Sequence, residues 1–129
     1  MKTLYWIFPC YNEEECLNPS AEKIFASYAK LVSDGLISKD SKVVFVDDGS
    51  KDKTWSIIEE LSGKNKFVVG VKLSHNKGHQ YAVEAGLRYA YEKKTDFTIT
   101  MDVDLQDDIN VTSEMVQKYL DGNDIYVIL

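Results

Sequence analysis

Val43-Val44-Phe45-Val46-Asp47-Asp48-Gly49-Ser50 is the stretch that decides the fold. Its four apolar residues are continuous and β-branched save one. Such a run reads as a strand buried on both faces, the habit of parallel sheets. It then ends abruptly in two adjacent carboxylates and a glycine. That pair is costly at a strand end unless it binds something or caps a helix. Ser50 or Asp52 is placed to cap a following helix that carries Trp55, Ile58 and Leu61 and closes near Gly63.

The same alternation runs outward in both directions. Upstream, Leu4 to Phe8 is a short apolar run stopped by Pro9. Asn18-Pro19 then offers a cap and a first-turn proline. Ile24, Phe25, Tyr28, Leu31 and Val32 follow at helical spacing, and Gly35 ends them. Downstream, Phe67 to Leu73 reads as a third strand and Gly78 to Lys93 as a third helix. Phe97 to Met101 is a fourth strand, Val111 to Leu120 a fourth helix ended by Gly122, and Ile125 to Leu129 a fifth strand. Strand–helix alternation of this kind predicts an α/β fold, a Rossmann-like three-layer α/β/α arrangement around a mainly parallel sheet.

The chain has 129 residues, one domain's worth, and its apolar share of 44% suits a soluble globular protein. A net charge of −6 argues against a nucleic-acid binder, which would show a basic face. It leaves phosphate ligands open, because metals and helix N-termini hold those without basic surface. Cys10 and Cys16 lack metal-ligand spacing and read as reduced thiols of a cytosolic protein. Leu4 to Phe8 is too short for a signal peptide. No apolar run approaches the roughly 20 residues of a membrane span. The chain stops inside its fifth strand, so a truncated piece of a longer protein is expected.

In open parallel sheets ligands bind beyond the carboxyl ends of the strands, and the polar motifs gather there. Pro9-Cys10-Tyr11-Asn12-Glu13-Glu14-Glu15 follows the first strand; Tyr11 can stack on a planar ring, and Asn12 and Glu13 can bond a base or ribose edge. Taken alone, it is more simply an acidic surface loop flanking a helix. After the second strand, Asp47 or Asp48 can accept from a base imino group or a ribose hydroxyl. Ser74-His75-Asn76-Lys77-Gly78-His79 opens the third helix, where Lys77, His75 or His79 can meet a diphosphate. Each histidine alone is more simply an exposed helix-start residue. After the fourth strand comes Met101-Asp102-Val103-Asp104-Leu105-Gln106-Asp107-Asp108. Asp102, Asp104 and Gln106 are spaced by two, so on extended chain they share a side. Oxygen donors at this density suit Mg²⁺ or Mn²⁺ bridging phosphate oxygens. A solvated acidic turn is the plain alternative. There is no Walker-type loop, no G-x-G-x-x-G and no nucleophile elbow.

Taken together, Pro9-Cys10-Tyr11-Asn12-Glu13, Val46-Asp47-Asp48-Gly49-Ser50 with Asp52 and Thr54, Asn76-Lys77-Gly78-His79 and Asp102-Val103-Asp104-Leu105-Gln106-Asp107 resemble the inverting glycosyltransferases of family two, with the GT-A nucleotide-sugar fold. The resemblance covers essentially the whole chain. Its Asp-Leu-Gln-Asp ending is most similar to the branch that loads sugars onto polyprenyl phosphates. It implies that residues 1–129 are the N-terminal, donor-binding part, with the acceptor-binding half missing and little turnover alone. It implies a nucleotide-diphosphate sugar, most simply a UDP-sugar, as donor, and a polyprenyl phosphate as acceptor at the cytoplasmic face of a membrane. Pro9, Tyr11, Asn12, Glu13, Asp47, Asp48, Asn76, Gly78 and Asp102 would hold the donor. Asp102, Asp104 and Gln106 would organise Mg²⁺ or Mn²⁺. The neighbour order implied is three-two-one-four. The sequence departs from the branch after Asp107, where Asp108-Ile109-Asn110 stands in place of Pro-Pro-Glu.

Three other readings compete. A response-regulator receiver domain fits the length and alternation, but its acidic pair belongs after the first strand. A sugar nucleotidyltransferase would carry a Gly- and Arg-rich loop where Pro9 to Glu15 stands. A non-catalytic nucleotide- or carbohydrate-binding module would keep the loops without the transfer.

Overall fold

The computed structural model describes residues 1–104, 109 and 111–122. The elements are β1 (Leu4–Cys10), α1 (Leu17–Ser33), β2 (Lys42–Asp47), α2 (Thr54–Lys64), β3 (Val68–Lys72), α3 (His79–Glu92), β4 (Phe97–Thr100) and α4 (Val111–Leu120). The four strands are parallel, in the order β3-β2-β1-β4. This is the expected neighbour order, and it overturns the receiver reading. A receiver places its first strand between the second and third; here β1 pairs with β2 and β4. The fifth strand expected at 125–129 and the segment carrying Gln106, Asp107 and Asp108 lie outside the described residues.

Alternating side chains of the strands feed two cores. Leu4, Trp6, Phe8, Val43, Phe45 and Ile99 pack with Leu17, Ile24, Leu31, Ile58 and Met115 of the helices α1, α2 and α4. Tyr5, Ile7, Val44 and Val46 pack with Ala82 and Ala90 of α3. The helix assignment follows from the order of the strands. From β1 to β3 the chain moves one way across the sheet, with α1 and α2 on one face. It then returns past β1 to β4. Right-handed crossovers require that return to run over the opposite face, where α3 lies. Gly86 lets α3 seat closely: a Cβ there would stand 2.6 Å from Cγ2 of Ile7.

Two element limits differ from the sequence reading. Pro9 does not stop β1, which continues to Cys10. Along β1 the carbonyl of Ile7 accepts from Met101 N, on the β4 side, and that of Cys10 accepts from Asp48 N, on the β2 side. Strand alternation therefore turns the Pro9 nitrogen toward β4, past the last β1–β4 pair, Ile7 with Thr100. The β1–β4 pairing ends where the proline has no N–H to offer, while β1 continues beside β2 to Cys10. The second difference is at α1, which starts at Leu17 rather than at an Asn18 cap. Cys16 N and Leu17 N both donate to Glu13 O, at 3.1 and 2.9 Å, so a turn winds directly into the helix. Pro19 becomes its third residue, where an N–H has no intrahelical acceptor and its loss is harmless.

Candidate functional site

The first structural consequence of the strand order is a crevice. The chain reverses its direction of travel between β1 and β4, the kind of switch point where open α/β sheets bind ligands. A cavity of about 320 Å³ lies there. The β1 end contributes Pro9, Cys10, Tyr11 and Glu13, and the β2 end contributes Asp48. The start of α3 contributes Asn76, Gly78, His79 and Ala82. The β4 end contributes Asp102, Val103 and Asp104. All four post-strand loops therefore meet in one place. Of the residues named from the sequence, Pro9, Tyr11, Glu13, Asp48, Asn76, Gly78, Asp102 and Asp104 line it.

Asn12 and Asp47 are not brought to that lining. Asn12 is turned away by a left-handed backbone, φ +51°. Its N–H donates to Ser50 Oγ at 2.9 Å, and its Oδ1 accepts from Lys51 N at 2.9 Å. Asp47 is wholly buried. Its parity along β2 matches Val43 and Phe45, so it faces the α1–α2 side. Its Oδ1 accepts from Ser50 N at 3.2 Å, and among the described residues Oδ2 has no hydrogen-bond partner. His75 and Lys77 also fall outside the lining, whereas His79 is in it. Lys77 Nζ sits 6.0 Å over the ring of Tyr81.

Asp48 takes the opposite role to its neighbour. Its Oδ1 accepts from Lys77 N at 2.7 Å; its Oδ2 accepts from Gly78 N at 3.0 Å and Asn76 Nδ2 at 3.3 Å. It clamps the loop before α3 against β2. Of a carboxylate's roughly four acceptor sites, about one stays open to the cavity. Gly49 makes the clamp possible. Its φ is +68°, and a Cβ there would fall 2.2 Å from Asn76 N. Only glycine admits that approach of two backbones.

A second seam joins the β1–α1 loop to the β2–α2 loop. Besides the Asn12 bonds, Glu13 N donates to Thr54 Oγ1 at 2.8 Å and Glu14 N to Asp52 Oδ2 at 3.2 Å. Lys53 N in turn donates to Glu14 Oε2 at 3.1 Å. The N-cap position of α2 is Lys53 rather than Ser50 or Asp52; Asp52, one residue before it, accepts from Thr54 N, the first N–H of the helix, at 2.9 Å. Partial burial works to raise its carboxyl pKa. The Thr54 hydroxyl and the N–H groups of Thr54 and Glu14 outweigh this and hold it below the ordinary value.

Both cysteines are free. The Cys10 thiol, in the cavity wall, is pushed well above its ordinary pKa by burial, then by the charges of Glu13 and Asp47. Cys16 is pushed up to about 11 by burial and by its bond to Glu13 Oε2, at 3.0 Å. Both are protonated at neutral pH, and a protonated thiol is neither a good nucleophile nor a metal ligand.

Asp102 and Asp104 alternate with buried Met101 and Val103. Both carboxylates therefore come to the exposed side, and both line the cavity. Among the described residues no three His, Cys, Asp or Glu side chains form a metal-holding group. Mg²⁺ does not need three: it is held by one or two carboxylates, with water and phosphate oxygens completing its shell. The pair fits such an ion.

The chain matches the family model described as glycosyl transferase family 2 over residues 5–129, and it belongs to that family. It is 44% identical over 119 residues to the uncharacterized glycosyltransferase YkoT of Bacillus subtilis (strain 168), covering 92% of this chain and 35% of that protein. Over the same span it is 36% identical to the prophage bactoprenol glucosyl transferase homolog of Escherichia coli (strain K12), covering 92% of this chain and 36% of that protein. The bactoprenol glucosyl transferase of Shigella phage SfV follows at 35%, with the same coverage. The chain thus spans about a third of the length of these curated relatives. The crystal structure of S. aureus TarS superposes with a TM-score of 0.62 at 23% identity, over 93% of this chain and 20% of that one. The architecture is the GT-A fold that the motifs implied. No described helix is long and apolar enough to cross a membrane.

Proposed function

We propose that this chain holds the donor of an inverting glycosyltransferase that moves a sugar from a nucleoside diphosphate, UDP most simply, to a polyprenyl phosphate. The observation that carries the reading is the convergence of four post-strand loops on a switch-point cavity with two carboxylates at its β4 edge. The relatives named bactoprenol glucosyl transferase support the acceptor. A lipid acceptor of that kind would be met at a membrane, and we place the complete protein at its cytoplasmic face.

In this reading the nucleoside lies against Pro9, Tyr11 and Glu13. The exposed Tyr11 ring stacks on the base, and the remaining acceptor site of Asp48 takes a base or ribose proton. Gly78 gives the loop before α3 a close backbone approach, and Asn76 holds Asp48 in place. Asp102 and Asp104, with Gln106, would hold Mg²⁺ or Mn²⁺, which would offset the negative charge of the diphosphate as it leaves. The acceptor oxygen attacks the anomeric carbon from the face opposite the diphosphate. The new C–O bond forms as the old one breaks, and configuration inverts. A lipid phosphate is already an anion, so this acceptor needs no general base.

A chemical-shift titration of the chain with UDP, with and without Mg²⁺, tests the reading. Shifts at the amides of Tyr11, Asp48 and Asp104 are expected. Shifts confined to the opposite edge of the sheet, near Lys39 and Lys66, or no shift at millimolar UDP, would count against it.

A further inference from the structure

We infer that Asn12 is a positioning residue: it latches the β1–α1 loop onto the β2–α2 loop and so aims its two neighbours into the cavity, without touching the donor. The inference rests on the donor reading only for its functional consequence; the latch itself is geometric. Asn12 is one of two non-glycine described residues with positive φ. Asparagine tolerates that region better than most residues. The neighbours Tyr11 and Glu13 both line the cavity, and Asn12 does not. Meanwhile Asn12 uses its backbone N–H toward Ser50 Oγ and its Oδ1 toward Lys51 N, each at 2.9 Å. One residue therefore bonds in both directions across the seam while its neighbours face the ligand space. Glu13 N to Thr54 Oγ1 at 2.8 Å extends the seam by one residue. A loop held this way loses less freedom when a nucleotide binds, and that saving appears as affinity.

The chemistry of the latch separates it from direct contact. Among the described residues it uses the carboxamide through its oxygen alone. Asn12→Asp keeps that acceptor and the tolerance for positive φ, while removing the amide N–H₂ that a donor contact would need. Asn12→Gly keeps the backbone freedom and removes the oxygen. Amide exchange of Lys51 and UDP affinity in Mn²⁺ would be measured for each variant, at a salt concentration that screens the added charge. Lys51 protection is expected to survive in Asn12→Asp and to fall about tenfold or more in Asn12→Gly. UDP affinity should stay within about twofold in Asn12→Asp and drop about tenfold in Asn12→Gly. Ser50→Ala, which removes the other half of the latch, should give a smaller loss and serves if Asn12→Gly does not fold. If Asn12→Asp loses affinity like Asn12→Gly while protecting Lys51, Asn12 touches the donor and the inference fails. It also fails if Asn12→Gly binds UDP like wild type. Absence of UDP binding by wild type would defeat the donor reading instead, and Lys51 exchange would still decide the latch.

Discussion

The two walls of the cavity are built on opposite principles. On the β1–β2 side nearly every polar group is spoken for. Asp48 accepts from three donors, Asn12, Glu13 and Glu14 are bonded across the seam, and Gly49 lies against the backbone of Asn76. Past the end of β4, Asp102 and Asp104 are exposed, alternating with buried Met101 and Val103. A wall whose donors and acceptors are already matched is rigid and recognises shape. A wall with paired exposed carboxylates is poised for a cation. In the proposed reading the first wall supplies stability, and the second is where a cation would sit.

Gly49→Ala strikes the matched wall hardest. The new Cβ would meet backbone rather than a flexible side chain, at a positive φ. A loss of at least about 3 kcal/mol is expected in urea denaturation. A loss below about 1 kcal/mol would mean the two backbones part easily and the wall is not rigid.

Asp48→Asn should cost less, about 1–3 kcal/mol, because Lys77 N and Gly78 N bond to different oxygens of Asp48, and a carboxamide would turn its NH₂ toward one of them, leaving that N–H without an acceptor. Faster amide exchange at Lys77 and Gly78 should accompany it. Unchanged exchange there would show that Asp48 does not hold the loop.

Asp104→Asn, on the exposed wall, should change metal-free stability by no more than about 1 kcal/mol, since no cavity or buried group is created. In the complete protein it should abolish transfer. A destabilised but active variant would return the acidic run to the status of a structural turn.

The smallest effect concerns pH and lies in the seam. The folded pKa of Asp52 is lowered, so the stability it lends is present above its unfolded pKa, near 3.8. It is lost as pH falls from there through the folded value. Asp52→Asn should flatten the acid limb of the stability profile below about pH 4, modestly, because the group is mostly solvated. An unchanged limb would place acid sensitivity elsewhere.

The same contrast explains what was legible in the sequence. The strands were visible because continuous β-branched runs such as Val43 to Val46 have few other uses, and the resemblance supplied their order. The cavity's occupants were visible because their chemistry sits at strand ends. What could not be read was direction within a motif. Asn12 and Asp47 carry the same kinds of polar groups as Glu13 and Asp48, and adjacent residues on a strand or turn face opposite ways. Which of each pair meets the ligand depends on a left-handed φ at Asn12 and on strand parity at Asp47, neither of which composition reports. Cys10, at the end of β1, joins the lining as well. The start of α1 was misplaced because Asn18-Pro19 is a strong local signal, overridden by the turn at Glu13 O.

The central claim is that the exposed wall holds a divalent cation together with a nucleoside diphosphate. UDP affinity measured by calorimetry with and without Mn²⁺, in wild type and in Asp102→Asn/Asp104→Asn, tests it most directly. The account predicts that Mn²⁺ raises wild-type affinity by about tenfold or more and leaves the double variant unchanged, with its weaker metal-free binding intact on the β1–β2 wall. An equal Mn²⁺ enhancement in both proteins would contradict it.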